Sequence, residues 1–146
     1  MIILVPFRDE HADRLKLREI DRRSIAPQEP SEMIRQIAHL GPFMTMMVDD
    51  EIMAIGGVMI LWPGVGEAWV GTSSLVERYP IIFTKCVRGF LNAVIRDEKL
   101  HRVQLNVVEY HKRSLAWVRL LGFLLESKME KYGPNQETYY RYVRFA

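Results

Sequence analysis

The stretch His101–Tyr132, HRVQLNVVEYHKRSLAWVRLLGFLLESKMEKY, decides the fold. Val103, Leu105 and Val107 alternate with Arg102, Gln104 and Asn106, which is the two-residue period of a strand with one buried face. From Lys112 to Leu121 the period changes. Leu115, Val118 and Leu121 fall three apart and make one apolar stripe, with Lys112, Arg113 and Arg119 off it. Gly122 stands where a helix C-terminal glycine belongs, because glycine takes a left-handed φ without a Cβ clash. Phe123–Leu125 start another apolar strand at once. Strand, short helix, Gly-Phe, strand is a compact βαβ-like unit, and by periodicity alone a generic α/β segment fits equally well.

Working outward from this unit, Ile2–Val5 reads as a strand ended by Pro6. Asp9 is placed to cap a helix over Glu10–Arg23, with Ala12, Leu15 and Ile20 inward and a densely charged solvated side. Ala26–Pro30 is a loop. Ser31 is placed to cap a helix over Glu32–Leu40, which Gly41-Pro42 ends. Phe43–Val48 and Glu51–Leu61 form a hairpin about Asp49-Asp50. Inside it, Gly56-Gly57 marks either a close backbone approach or a bulge. Glu67–Thr72 is a further strand, and Ser73–Pro80 a loop. Ile81–Arg96 is a helix by its stripe of Phe83, Cys86, Val87, Phe90, Leu91, Val94 and Ile95. Phe123–Met129 and Tyr139–Phe145 read as a closing hairpin.

The element order is β-α-α-β-β-β-α-β-α-β-β, of class α/β (α+β). It implies a mixed, mostly antiparallel twisted sheet of about seven strands flanked by about four helices. The two strands joined by the Ile81–Arg96 helix should be parallel through a right-handed crossover.

A length of 146 residues fits one domain over 1–146, long enough for a sizeable core. A net charge of +2 is too weak to argue for nucleic acid. The one cysteine, Cys86, rules out an intrachain disulfide and a Cys-rich zinc site, and on its helical stripe it reads as a core thiol. His11, His39 and His101 have no metal-ligand spacing with it or with each other, so no metal is expected. Met1–Val5 is too short for a signal peptide, and no apolar run approaches a membrane span. A cytoplasmic protein is expected.

The order of elements resembles the GCN5-related N-acetyltransferase (GNAT) fold, over nearly the whole chain. Asp49–Val58, DDEIMAIGGV, resembles that family's hairpin into its third strand. His111–Phe123, HKRSLAWVRLLGF, resembles its fourth helix with the Gly-Phe end. The words Trp69–Thr72, Val76–Pro80 and Leu100–Phe123 are also similar to a phage and prophage group of GNAT-like internal virion proteins. The resemblance implies acetyl-CoA as co-substrate and a primary amine on a small molecule or protein as acceptor. It puts a backbone N–H of Trp69, Val70 or Gly71 on the thioester carbonyl. The phosphates would lie at the helix start from Arg78 to Ile81.

The chain departs from the family pattern at that helix start. Ile81 and Phe83 fall where the phosphate loop has glycines, and Pro80 lacks an N–H. In the fourth helix, His111 replaces an asparagine and Val118 a tyrosine that acts as acid for the thiolate. Two functions therefore stand side by side. One is a phage or prophage N-acetyltransferase. The other is a non-catalytic virion or host-interaction protein on the same scaffold, with a degenerate CoA loop.

Acetyl transfer needs a base for the amine, a donor for the carbonyl oxygen and a proton for the thiolate. Glu67 is either the base or a solvated strand-end carboxylate. His111 is an acid or base, a CoA contact, or a residue that packs or caps the helix start. Tyr110 lies nearby in sequence and can stand in for the missing tyrosine only if the local geometry brings it round. Trp117 lies off its helix stripe and suits an interface. With the C-terminal aromatics, from Tyr132 to Phe145, it points to a possible homodimer seam or pocket wall.

Overall fold

The computed structural model describes residues 1–146. In chain order the elements are β1 (Ile2–Pro6), α1 (Asp9–Arg14), α2 (Glu19–Ile25), α3 (Pro30–Ala38), β2 (Phe43–Val48), β3 (Glu51–Trp62) and β4 (Val65–Thr72). A 3-10 turn (Ser74–Glu77) follows, then α4 (Pro80–Asp97), β5 (Arg102–Val108), α5 (Lys112–Leu120), β6 (Leu124–Met129) and β7 (Tyr139–Phe145). The seven strands form one sheet in the order β1-β2-β3-β4-β5-β7-β6. Every neighbouring pair is antiparallel except β4–β5, which is parallel across the α4 crossover, as the sequence pattern requires. In the closing βαβ unit, β7 inserts between β5 and β6, so these two strands are parallel in direction without touching.

Five α-helices flank the sheet rather than four, because Glu10–Arg23 is not one helix. After Arg14 the chain turns extended, with Leu15 at ψ 119°. Leu15 and Leu17, two residues apart, are both buried, which is strand spacing and cannot be met on one helix face. The extended segment then lies against the end of β4, where the Arg18 N–H donates to the Thr72 carbonyl at 3.0 Å. At α3 the cap is Glu29 rather than Ser31. Its carboxylate accepts from the Glu32 N–H at 2.9 Å, and Pro30 takes the first helical position.

The helices divide between the two faces. Ala12, Leu15, Leu17, Ile25 and Ile34 pack with Phe43, Ile52 and Ile55 on one face. Leu91 and Val94 of α4, Val118 of α5 and Leu121 just beyond it pack with Val103, Leu105, Val107 and Phe123 on the other. Of the two readings of Gly56-Gly57, close approach holds at Gly57: a Cβ there would lie 2.2 Å from the Pro42 carbonyl oxygen. Gly122 sits at φ 92° and ends α5, as its position implied.

Candidate functional site

β4 and β5 are paired at only three positions, Val65–Arg102, Gly66–Val103 and Glu67–Gln104. Beyond Glu67 the two strands part. The remainder of β4 keeps its antiparallel partner β3 on one side and has no strand on the other. Hydrogen-bond direction alternates along such a strand. The Ser73 N–H points to β3, where it meets the Met53 carbonyl. The N–H and C=O of Thr72 point the opposite way, to Asp21 and Arg18. The same parity turns the N–H and C=O of Val70 into the gap, and those of Trp69 and Gly71 toward β3. Among the three residues proposed to present an amide, Val70 is the one that faces the opening.

A cavity of about 450 Å³ runs through this gap. Glu67, Trp69, Val70 and His111 all line it, together with Asp21, Asn106, Tyr132 and Tyr139. Under α4 its wall is apolar, made by Phe83, Cys86, Val87 and Phe90. Glu67 Oε1 accepts from Gln104 Nε2 at 2.8 Å and lies 4.0 Å from the Arg141 guanidinium. Arg141 in turn donates through Nε to Asn106 Oδ1 at 3.0 Å, and Asn106 Nδ2 donates to the Tyr132 hydroxyl oxygen at 3.3 Å. The Tyr139 hydroxyl donates to the Ser24 carbonyl at 3.1 Å, tying β7 to α2. Burial pushes its pKa up to about 12.

The wide end of the gap is bridged by Asp21. Its Oδ2 accepts from the Thr72 N–H at 3.2 Å and the Thr72 hydroxyl at 2.8 Å, and its Oδ1 lies 3.3 Å from His111 Nε2. Burial opposes ionisation of this carboxyl. Hydrogen bonds from His111 and Thr72 and the charge of Arg18 outweigh it and hold the pKa below the usual aspartate value. His111 caps α5: its Nδ1 accepts the Ser114 N–H at 3.4 Å. With Nδ1 accepting, the Nε2 proton points at Asp21. The Ser114 hydroxyl also lies on Nε2, at 3.2 Å. Serine and aspartate thus address the same ring nitrogen, and no relay through the imidazole is set up. Of the readings of His111, the cap is the one the geometry fills.

Tyr110 sits on the far side of this bridge. It lines an outer basin with Arg18, Ser74, Glu77, Lys112 and Arg113, and His111 faces both spaces. Its hydroxyl is buried with no hydrogen-bond partner, the Arg23 guanidinium lies 3.9 Å over its ring, and burial raises its pKa. Arg78 and Ile81 are exposed at the start of α4 and line neither space. There, no main-chain acceptor holds the N–H of Ile81 or Ile82. Trp117 is half-buried and joins two helices of its own chain. Its ring stacks on Phe83 with centroids 5.1 Å apart, and its Nε1 donates to Thr84 Oγ1 at 2.9 Å, joining α5 to α4.

Asp21, Gln104 and Arg141 were not singled out by the sequence. Asp21 lies among the charged residues of α2, and no local signal distinguishes it from them. No cluster of three or more His, Cys, Asp or Glu side chains is placed to hold a metal ion, and no helix is long and apolar enough to cross a membrane.

No protein-family model matches the chain, and no curated protein matches it in sequence. Solved structures do match it in shape. Ard1 from Thermoplasma volcanium superposes with a TM-score of 0.84 at 12% identity, covering 99% of this chain and 97% of that one. A variant of the spermidine N-acetyltransferase SpeG from Vibrio cholerae gives 0.74 at 11% identity, covering 99% and 93%. An acetyltransferase of the GNAT family from Bacillus anthracis gives 0.74 at 9% identity, covering 99% and 94%. These likenesses carry the architecture and nothing finer: the chain has the GCN5-related N-acetyltransferase fold.

Proposed function

We propose that the protein is an N-acyltransferase that moves the acetyl group of acetyl-CoA onto a primary amine. The observation that carries this reading is the gap between β4 and β5, which leaves the Val70 peptide N–H free toward the cavity. An amide fixed in a strand beside a largely apolar cavity stabilises negative charge on a thioester carbonyl oxygen without reorganising. Trp69 and Gly71 hold that amide in place through their bonds to β3. Glu67 takes a proton from the attacking amine as the nitrogen–carbonyl bond forms and the carbon–sulfur bond breaks; the departing thiolate then takes a proton. Tyr110 serves that last step only for a donor arm running along the basin side of His111. Arg78 and the free amides at the start of α4, Ile81 among them, lie where the phosphates would rest, with one donor fewer because of Pro80.

A second reading is favoured by a specific observation. Both ring nitrogens of His111 are engaged, and valine stands at the position of the family's acid. A phage- or prophage-derived scaffold that contacts a virion or host protein in the cytoplasm needs neither group. Calorimetric titration with acetyl-CoA, with Arg78→Ala alongside, separates the two. Micromolar binding weakened by the substitution supports the enzyme. No heat at millimolar ligand leaves the interaction protein standing.

A further inference from the structure

We infer that the acceptor is an unbranched aliphatic amine with no carboxylate at its far end, and that Glu67 selects it. This deepens the acyl-transfer reading on its acceptor side and rests on it.

The charges of the cavity wall carry the argument. No lysine or arginine lines it, and its only acidic groups are Glu67 and Asp21. Asp21 is spent within the protein: both its oxygens are held, by His111 and by Thr72. Glu67 is not. Its Oε1 takes the Gln104 amide and faces Arg141, while no protein hydrogen bond reaches Oε2. The rings of Trp69, Tyr132 and Tyr139 line the same cavity, the last two packed edge to face at 5.3 Å. A carboxylate oxygen without a protein partner, on the wall of a cavity that also carries aromatic rings, suits an ammonium group. A ligand carboxylate in the same space would meet Glu67 and Asp21 with no lysine or arginine in the wall, the nearest guanidinium, Arg141, being already drawn to Glu67 and Asn106. The remaining lining is largely apolar and suits a methylene stem.

The test is calorimetric titration of the protein, without any acyl donor, using butylamine and 4-aminobutyrate, which share a stem and differ in the terminal carboxylate. Butylamine should bind about tenfold tighter. In Glu67→Gln that preference should collapse to within about threefold, with melting temperature recorded to confirm folding. Glu126→Gln, which touches Arg102 outside the cavity, should leave the preference intact. Equal or tighter binding of 4-aminobutyrate, an unchanged ratio in Glu67→Gln, or no binding of either compound would overturn the inference. Because no donor is present, these outcomes are independent of the acetyl-CoA titration. Amine binding without acetyl-CoA binding would sink the transferase reading and leave the amine site in place.

Discussion

Asp21 and His111 meet across the open end of the β4–β5 gap, Oδ1 to Nε2 at 3.3 Å, and through Asp21 the end of β4 is fastened to the start of α5. The contact joins an outer basin to an inner cavity as their common wall. Asp21→Asn should cost about 2 kcal/mol in chemical denaturation, the scale of a buried charge-assisted hydrogen bond. It should also loosen the wall. Cys86 lines the inner cavity and is the chain's one thiol, so its labelling rate with an uncharged maleimide reports access. Labelling should quicken several-fold in Asp21→Asn without denaturant. An unchanged rate would mean the thiol is reached by another path.

The same carboxylate sets a limit in acid. Its folded pKa lies below the unfolded value of 3.8, so its contribution is complete above that value. It is lost as pH falls through the folded pKa. Denaturation midpoints of the wild type and Asp21→Asn should therefore stay apart at neutral pH and draw together only as pH falls from about 3.8 through the lower folded pKa.

His111 acts on α5 as a cap, and asparagine is a good N-cap. Both His111→Asn and His111→Ala give up the contact with Asp21, but His111→Asn should keep the cap, so His111→Ala should be less stable than His111→Asn by about 1 kcal/mol. Equal melting temperatures for the two variants would contradict the capping role.

Tyr139 works at the opposite extreme of pH. Its phenol is held neutral, with a pKa of about 12 against 10.0 in the unfolded chain. Its contribution is complete below pH 10 and declines as pH rises toward 12. Tyr139→Phe removes both the bond to Ser24 and this alkaline slope, which denaturation at pH 9 and pH 11 would reveal.

Gly57→Ala should destabilise by about 3 kcal/mol or abolish folding, because the new methyl would meet the Pro42 carbonyl oxygen at 2.2 Å and the Phe43 ring at 2.5 Å. A melting curve matching wild type would show that the backbone yields there.

The strands and the long helix were legible because their apolar residues keep a simple period: Val103, Leu105 and Val107 on β5, Phe83 through Val94 on α4. The break after Arg14 was not. Leu15 satisfies a helical stripe and an extended segment equally, and only contact with β4 decides between them. Val70 could be placed on its strand but not aimed, since the direction of a peptide follows from which neighbour is missing. Asp21 was invisible for a related reason. Its partners Thr72 and His111 are distant in sequence, and a carboxylate among Glu19, Arg22 and Arg23 looks like solvated surface.

The narrowness of the β4–β5 ladder has a mechanical side. Three residue pairs are the seam between a four-stranded leaf, β1 to β4, and a three-stranded leaf of β5, β7 and β6. Each leaf is stitched internally along most of its length. The molecule is thus a book with a short spine, covered on one side by α4 and α5. Opening by a few degrees at that spine widens the far edge without breaking a hydrogen bond inside either leaf. Amide protons of β3 and β7 should accordingly exchange with solvent far more slowly than the free edge of β4 beyond Glu67.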